Sequence, residues 1–472
     1  MINKRVLLID PPGTTQIYST AKIKVARPIV PSISLAALAG ALLKEAYKDV
    51  KILDLNMSKD SDGEIQRVMD DYKPDFVGIT FVTPLFDLAC ELCEKIKKTH
   101  PDVIVMGGGV HTTTLPEETL KKSQFDVVAM GEGEETIVEL VSGKNWEEIN
   151  GIAYKKKGKI FINPPRPLIE NLDDLPFPAW HLYDIPKYFS SYLNSRKNPV
   201  GAIETSRGCP FRCCFCNKTI FGKRFRVKSA ERVVDEIERM LKLGFKEIHV
   251  YDDNFSADME RAKLICDLII KRGLKFPWNI FSGLRVDRVD EELLLKLKKA
   301  GCYRTAIGIE SGNQGVLDQI GKDITLEKVR NAVALIKKAK IECLGFFILG
   351  LPGETEKTMQ DTINFAKELK LDFAKTGIVS PFPGTPLYEK WEKEGRISSR
   401  NWSDYIFHAT GKLAYNHPNL SAETIWKYYN KFYRKLYLNP HFILNRFFKG
   451  IKSNRIFKDI YYFLKMILSG DF

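Results

Sequence analysis

Cys209-Pro210-Phe211-Arg212-Cys213-Cys214-Phe215-Cys216 holds four of the chain's nine cysteines and follows directly on a strand-like run at residues 202–205. Three of these thiols stand in C-x3-C-x2-C spacing. Thiolates so placed on one short loop can each take an iron of a cubane cluster and leave the fourth iron open to a ligand. Zinc is the rival metal. A structural zinc site wants four ligands, no histidine lies nearby, and Cys214 would have to be the fourth. Buried structural thiols would explain one or two cysteines, rather than three at this spacing beside Arg212 and Lys218.

Working outward, strand patterns at 247–251, 279–284, 305–309, 343–349 and 374–379 alternate with helical patterns such as 230–243 and 291–300. With 202–205 they make six units. That fits a partial (β/α)6 barrel, whose chemistry belongs at the carboxyl ends of the strands. Upstream, runs at 5–9, 50–54, 76–80, 103–106 and 127–130 alternate with helical patterns at 33–45, 86–99 and 134–141. This is the pattern of a doubly wound parallel sheet. Between the halves, a hairpin pattern over 152–162 and the run PPRPLIENLDDLPFPAW (164–180) read as a linker or strap. The fold class is therefore α/β. Residues 1–145 form a Rossmann-like doubly wound domain, 146–195 a hairpin and Pro-rich linker, 196–395 a TIM-like partial barrel and 396–472 a helical basic extension.

Composition narrows the function. Hydrophobic residues make up 44% and charged residues 28% of 472, ordinary globular usage that excludes a disordered or collagen-like chain. The net charge is +13, but residues 431–472 carry nine Lys or Arg against two Asp or Glu. The body is only mildly basic, which argues against a protein that coats nucleic acid. No apolar run reaches the ~18 residues that span a bilayer. The scattered cysteines and the absence of a cleavable leader pattern place the chain in a reducing cytoplasm.

Cys209, Cys213 and Cys216, with Phe215 just before the last, resemble the cluster loop of the radical S-adenosylmethionine (SAM) enzymes. Later segments resemble that family in the same order. They are Tyr251-Asp252-Asp253-Asn254-Phe255 after the second barrel strand, Leu284-Arg285 after the third, Gly308-Ile309-Glu310-Ser311-Gly312 after the fourth and residues 345–353 after the fifth. The resemblance implies a [4Fe–4S] cluster on the three cysteines and an open iron that chelates the amino and carboxylate groups of SAM. One-electron cleavage then gives a 5′-deoxyadenosyl radical. It implies SAM-binding roles for Phe215, Asp252, Asp253, Asn254, Arg285, Glu310, Ser311 and Gly350. It also implies a low-potential electron donor of flavodoxin or ferredoxin type. Carboxylates suit an ammonium, though each of these residues alone reads as a cap or a turn.

Gly107-Gly108-Gly109-Val110-His111-Thr112-Thr113 and Met130-Gly131-Glu132-Gly133-Glu134 resemble the cobalamin-binding domain that precedes many radical SAM domains. Thr80 stands where that family often has a small hydroxyl residue beside the nucleotide tail. The resemblance implies cobalamin-binding roles for Thr80, Gly107, Gly108, Gly109, His111, Gly131, Glu132 and Gly133. Read from the residues alone, a plain nucleotide site stays open, because any doubly wound sheet has glycine-rich strand ends. The Asp-x-His-x-x-Gly signature of other cobalamin proteins is missing, and Asp10-Pro11-Pro12-Gly13 stands after the first strand instead. No histidine of that loop can ligate cobalt, and His111 is assigned to the corrin or its tail rather than to the metal. Cys90 and Cys93 read as a buried helix face. The extra cluster cysteines and RNA-binding module of the methylthiotransferase branch are not evident.

The resemblance covers about residues 1–400 and implies a radical SAM enzyme with cobalamin as second cofactor. The first expectation is methylation of an unactivated carbon of a small-molecule or lipid-like substrate. Cobalamin-dependent radical oxidation, cyclisation or rearrangement is the alternative. From another class, a non-catalytic sensor or scaffold is opposed by the intact cysteines and the series of motifs. Residues 431–472 interleave aromatic and basic residues, which suits packing on the barrel or peripheral contact with a membrane. No nucleic acid partner is expected.

Overall fold

The computed structural model describes residues 4–13, 30–191, 193–406, 412–452, 457, 460 and 461. The first sheet contains β1 (Val6–Asp10), β2 (Val50–Asp54), β3 (Phe76–Thr80), β4 (Ile104–Gly108), β5 (Val127–Ala129), β6 (Ile152–Lys156) and β7 (Lys159–Ile162), in the order β2-β1-β3-β4-β5-β6-β7. Its first five strands are parallel. Val6, Leu7, Leu8 and Ile9 are all fully buried, as a central parallel strand covered on both faces requires. Helices Ile33–Lys44 and Glu134–Ser142 cover one face, and Ser61–Tyr72 and Phe86–Thr99 the other. The strand order reverses between β1 and β3, and a doubly wound sheet binds its ligand at that switch point.

One boundary moves. β6 pairs antiparallel with β5, and β7 with β6. The hairpin assigned to the linker therefore forms the edge of the first sheet, because Ile152, Ala153 and Tyr154 are buried against it.

The second half opens with β8 (Val200–Ile203) and a two-stranded ribbon of β9 (Ser206–Arg207) and β10 (Arg226–Val227) that brackets the cysteine loop. β11 (Glu247–Val250), β12 (Trp278–Leu284), β13 (Cys302–Glu310), β14 (Glu342–Leu349) and β15 (Phe373–Ile378) follow. They form a parallel sheet ordered β15-β14-β13-β12-β11-β8, the six expected strands without closure. The helices between them start where the side chains of Ser229, Asp258, Asp290 and Thr325 accept a first-turn N–H.

Helix Ala422–Tyr437 packs along β15. The Tyr433 hydroxyl accepts from Thr376 N (3.2 Å) and donates to Thr376 O (3.0 Å). The Tyr437 hydroxyl does the same with Ala374 (3.2 and 2.7 Å). Side chains thus take the place of a neighbouring strand on that free edge. Helix Pro440–Lys452 instead exposes Leu444, Phe448 and Ile451. Residues 453–456, 458–459 and 462–472 of the basic tail lie outside the described residues. Among the described residues no helix is long and apolar enough to cross a membrane.

The two halves are joined at several points. Trp402 donates to Glu118 Oε1 (3.0 Å) and, with Tyr405, enters the core of the first sheet. From the strap, the Tyr183 hydroxyl donates to Ser32 O (3.0 Å) and the Tyr188 hydroxyl to Asp54 Oδ2 (2.8 Å).

Candidate active site at the junction of the two sheets

Both sheets point the carboxyl ends of their strands at the junction, where cavities of about 490, 240 and 470 Å³ share walls. The first lies at the switch point. Asp10, Thr80, Gly107, Gly108, Gly109, Gly131, Glu132 and Gly133 line it from the first sheet, and Ala202, Glu204, Arg207, Phe221 and Tyr251 from the barrel. Gly109 has φ +124°, and a Cβ there would meet Phe81 O at 2.4 Å, so only glycine turns the chain at this point. Among the described residues a Cβ at Gly108 or Gly131 would meet nothing within 4 Å. The bare backbone thus leaves room for a bulky ligand to come close, which fits cobalamin.

Cys209, Cys213 and Cys216 line the third cavity together and also the smaller one. Gly208, at φ +82°, starts their loop where a Cβ would strike Arg224 O at 2.1 Å. Cys214 is turned away. Its amide donates to Ile320 O (3.0 Å), and its side chain packs on the barrel core. No three His, Cys, Asp or Glu side chains among the described residues converge on a single ion. A structural zinc site wants four ligands, and with Cys214 turned away the three remaining thiols of the loop fit the irons of a cluster instead. The Cys213 thiol is drawn down to about 7, first by the hydrogen bond from Cys216, then by nearby Lys322, against the effect of burial.

The remaining wall of this cavity carries Asp253, Asn254, Arg285, Glu310 and Lys322. Asn254 Oδ1 is buried without a hydrogen-bond partner among the described residues, an acceptor that suits an ammonium. Asp253 accepts from Gly208 N (3.1 Å). Glu310 Oε1 accepts from Lys322 Nζ (2.7 Å), and Glu310 sits at φ +64°, a strained backbone of the kind that functional sites retain. Arg285 donates to Asp287 Oδ1 (2.7 Å) and lies 3.5 Å from the centroid of the Phe211 ring. Lys322 had no motif to announce it, and only its approach to Glu310 reveals it.

Five residues assigned from the sequence lie outside the linings of these cavities. Asp252 is fully buried and accepts from Thr205 N (2.6 Å), Thr205 Oγ1 (2.5 Å) and Ser206 Oγ (2.6 Å), so it braces the approach to the cluster loop rather than the cavity. Ser311 is fully buried 3.1 Å from Thr362 Oγ1. The Gly350 amide donates to Glu354 (2.6 Å), and Phe215 packs on the barrel core. None of these four lines the cavity. His111 is also fully buried, its ring centroid 4.6 Å from Phe86, 5.8 Å from Phe81 and 5.7 Å from Trp402. Neither ring nitrogen has a hydrogen-bond partner among the described residues, and burial pushes its pKa down to about 4. It supports the glycine loop from behind and does not line the first cavity.

Glu132 lines that cavity, but its carboxylate is engaged by Arg207 Nη1 (2.6 Å), Arg226 Nη1 (2.8 Å) and Ile169 N (2.8 Å). Arg207 also binds Glu134 (2.5 Å) and Glu204 (2.8 Å). Burial opposes ionisation of Glu134, yet the guanidinium overrides it and holds the carboxyl below its usual range. This buried clamp joins the halves, and sequence reasoning missed it because its members lie some 75 residues apart.

A model of the radical SAM superfamily matches residues 203–366, and a model of the B12 binding domain matches residues 20–141. An uncharacterized methyltransferase of Pyrococcus horikoshii is 35% identical over 94% of this chain and 95% of its own length. The anaerobic magnesium-protoporphyrin IX monomethyl ester cyclase of Rubrivivax gelatinosus is 32% identical over 76% of this chain and 66% of its own. Among solved structures, the cobalamin-dependent radical enzyme OxsB with aqua-cobalamin and SAM bound superposes with a TM-score of 0.73. It shares 18% identity and covers 98% of this chain and 72% of that one.

Proposed function

The chain belongs to the radical SAM enzymes that carry a B12-binding domain, and on that premise we propose that it methylates an unactivated carbon of a small-molecule substrate. When bound, the [4Fe–4S] cluster, SAM and cobalamin supply a radical initiator and a transferable methyl group. The protein's own share is holding and shielding. Cys209, Cys213 and Cys216 would bind the cluster. Asp253 and Asn254 would take the SAM ammonium, Arg285 its carboxylate, and Glu310, aligned by Lys322, its ribose. Gly107, Gly108, Gly109 and Gly131 would let the corrin approach the backbone, with Thr80 beside its tail. Residues 1–162, hairpin included, would form the cobalamin unit.

One observation carries the reading. Ile220 and Phe221 line both the glycine cavity and the small one, whose other wall is the cluster cysteines. The two cavities proposed for the cofactors thus have Ile220 and Phe221 as a shared wall. The test is anaerobic reconstitution with a low-potential reductant, flavodoxin or ferredoxin in type, and methyl-labelled SAM. Labelled product beside 5′-deoxyadenosine supports it. Deoxyadenosine with an unlabelled, oxidised or cyclised product replaces it with the second reading, which the similarity to the cyclase favours. The exposed Leu444, Phe448 and Ile451 support peripheral membrane contact and a lipid-like substrate. Failure to co-sediment with anionic vesicles would remove that extension.

A further inference from the structure

Among the described residues three cations line the cluster cavity, and two are neutralised by neighbours. Arg285 holds Asp287, and Lys322 holds Glu310. The third, Lys375, has no carboxylate and no hydrogen-bond acceptor among the described residues. It projects from β15 opposite Phe346 of β14, with its Nζ 5.6 Å from the centroid of the Phe281 ring. Thr376 and then Gly377, the next residues of β15, also line the cavity, and Gly377 is nearer the strand's carboxyl end, where the cysteine loop lies. At ~3.3 Å per residue, Lys375 thus stands about 7 Å deeper, away from the cysteine end.

An unpaired ammonium in an aromatic wall is costly unless something else meets it. Burial first, and the positive charge of Arg304 second, push its pKa down to about 8. No carboxylate among the described residues relieves this. Nor is Lys375 loosely held, since Thr376 and Ala374 on either side are pinned by Tyr433 and Tyr437. Helix Ala422–Tyr437 fixes the strand that presents the cation.

We propose that Lys375 is the specificity residue for the substrate, pairing with a carboxylate or phosphate oxyanion on a molecule whose apolar part lies against Phe281 and Phe346. This deepens the proposed function and rests on it, for it assigns the deep end of the cavity to the substrate and the cysteine end to SAM. The reaction needs the target carbon held still. An ion pair with a fixed strand would hold it.

The test uses the reconstituted full chain with SAM and three probes, benzoate, phenyl phosphate and neutral benzamide, with binding measured by calorimetry. At pH 7 one or both anions should bind at least tenfold more tightly than benzamide, and which of them leads identifies the oxyanion. Lys375→Met should abolish the preference. Lys375→Arg should keep it, which separates loss of the cation from loss of the fold. Equal binding of all three, no binding of the anions, or a preference that survives in Lys375→Met overturns the proposal. If the wild-type protein fails to cleave SAM, the methyl-transfer reading falls, while the comparison of probes still decides the anion site.

Discussion

The glycine cavity, about 490 Å³, and the cluster cavity, about 470 Å³, are nearly equal in volume but walled by different means. Gly108 and Gly131 open the first by withholding side chains, and of the five charged residues that line it among the described residues, four are engaged in the clamp around Arg207. The second is made by side chains that act, thiols, carboxylates and cations, with one cation left over. A site of the first kind recognises a large rigid ligand by shape. A site of the second kind chelates and pairs charge, so single substitutions should affect the two very differently.

The largest effect should come from Cys213→Ala. Cluster iron and SAM cleavage should fall to background while cobalamin binding persists, as read by iron analysis and visible spectroscopy. Retained cleavage would remove Cys213 from the cluster. Next, Arg207→Met leaves Glu132, Glu134 and Glu204 buried without their shared cation. Breaking one partner of a buried pair costs about 3–5 kcal/mol, so the denaturant midpoint should drop sharply. An unchanged midpoint would mean the halves do not depend on the clamp. Gly108→Leu is the counterpart in the other cavity. Its Cβ has free space and the branched end enters the cavity, so cobalamin should bind at least about tenfold more weakly, from an overpacking cost of about 1–3 kcal/mol. Iron content should not change. Equal affinity would place the corrin elsewhere.

The smallest effect concerns Asp10, which lines the first cavity and is the register partner of Asp54 on the neighbouring strand. Burial, then the Asp54 carboxylate, raise its pKa to about 8. The folded protein holds a proton that the unfolded chain has already lost. This part of the stability is therefore lost as pH rises from about 4 to about 8. Asp10→Asn cannot ionise, so its melting temperature should gain on the wild type by a few degrees between pH 5 and pH 9. A difference constant with pH would rule out the protonated carboxyl.

The cluster loop was legible in the sequence because cysteine chemistry and spacing are local, and the parallel strands because their apolar runs are continuous. Within the motifs, legibility stopped at one residue. Asp252 and Asp253 are adjacent, as are Glu310 and Ser311, yet successive residues at a strand end face opposite ways. One of each pair reaches the cavity and the other braces the strand. A motif names the pair, and only the register chooses between its members. Lys322, Lys375 and the Arg207 clamp were illegible for another reason, since each takes its meaning from residues brought together by the fold. The hairpin was misplaced because turn and strand signals say where a strand begins but not which sheet it joins.

The tyrosine caps on β15 also bear on how the molecule is made. The barrel's last strand leaves the ribosome 57 residues before the side chain that closes its edge at Thr376. At 5–20 residues per second that interval is about 3–11 s. During it a nearly finished barrel presents an unpaired strand to every neighbouring nascent chain. The hazard ends only when Tyr433 and Tyr437 arrive, which makes this helix a co-translational seal whose timing, as well as its contacts, guards against edge-to-edge aggregation.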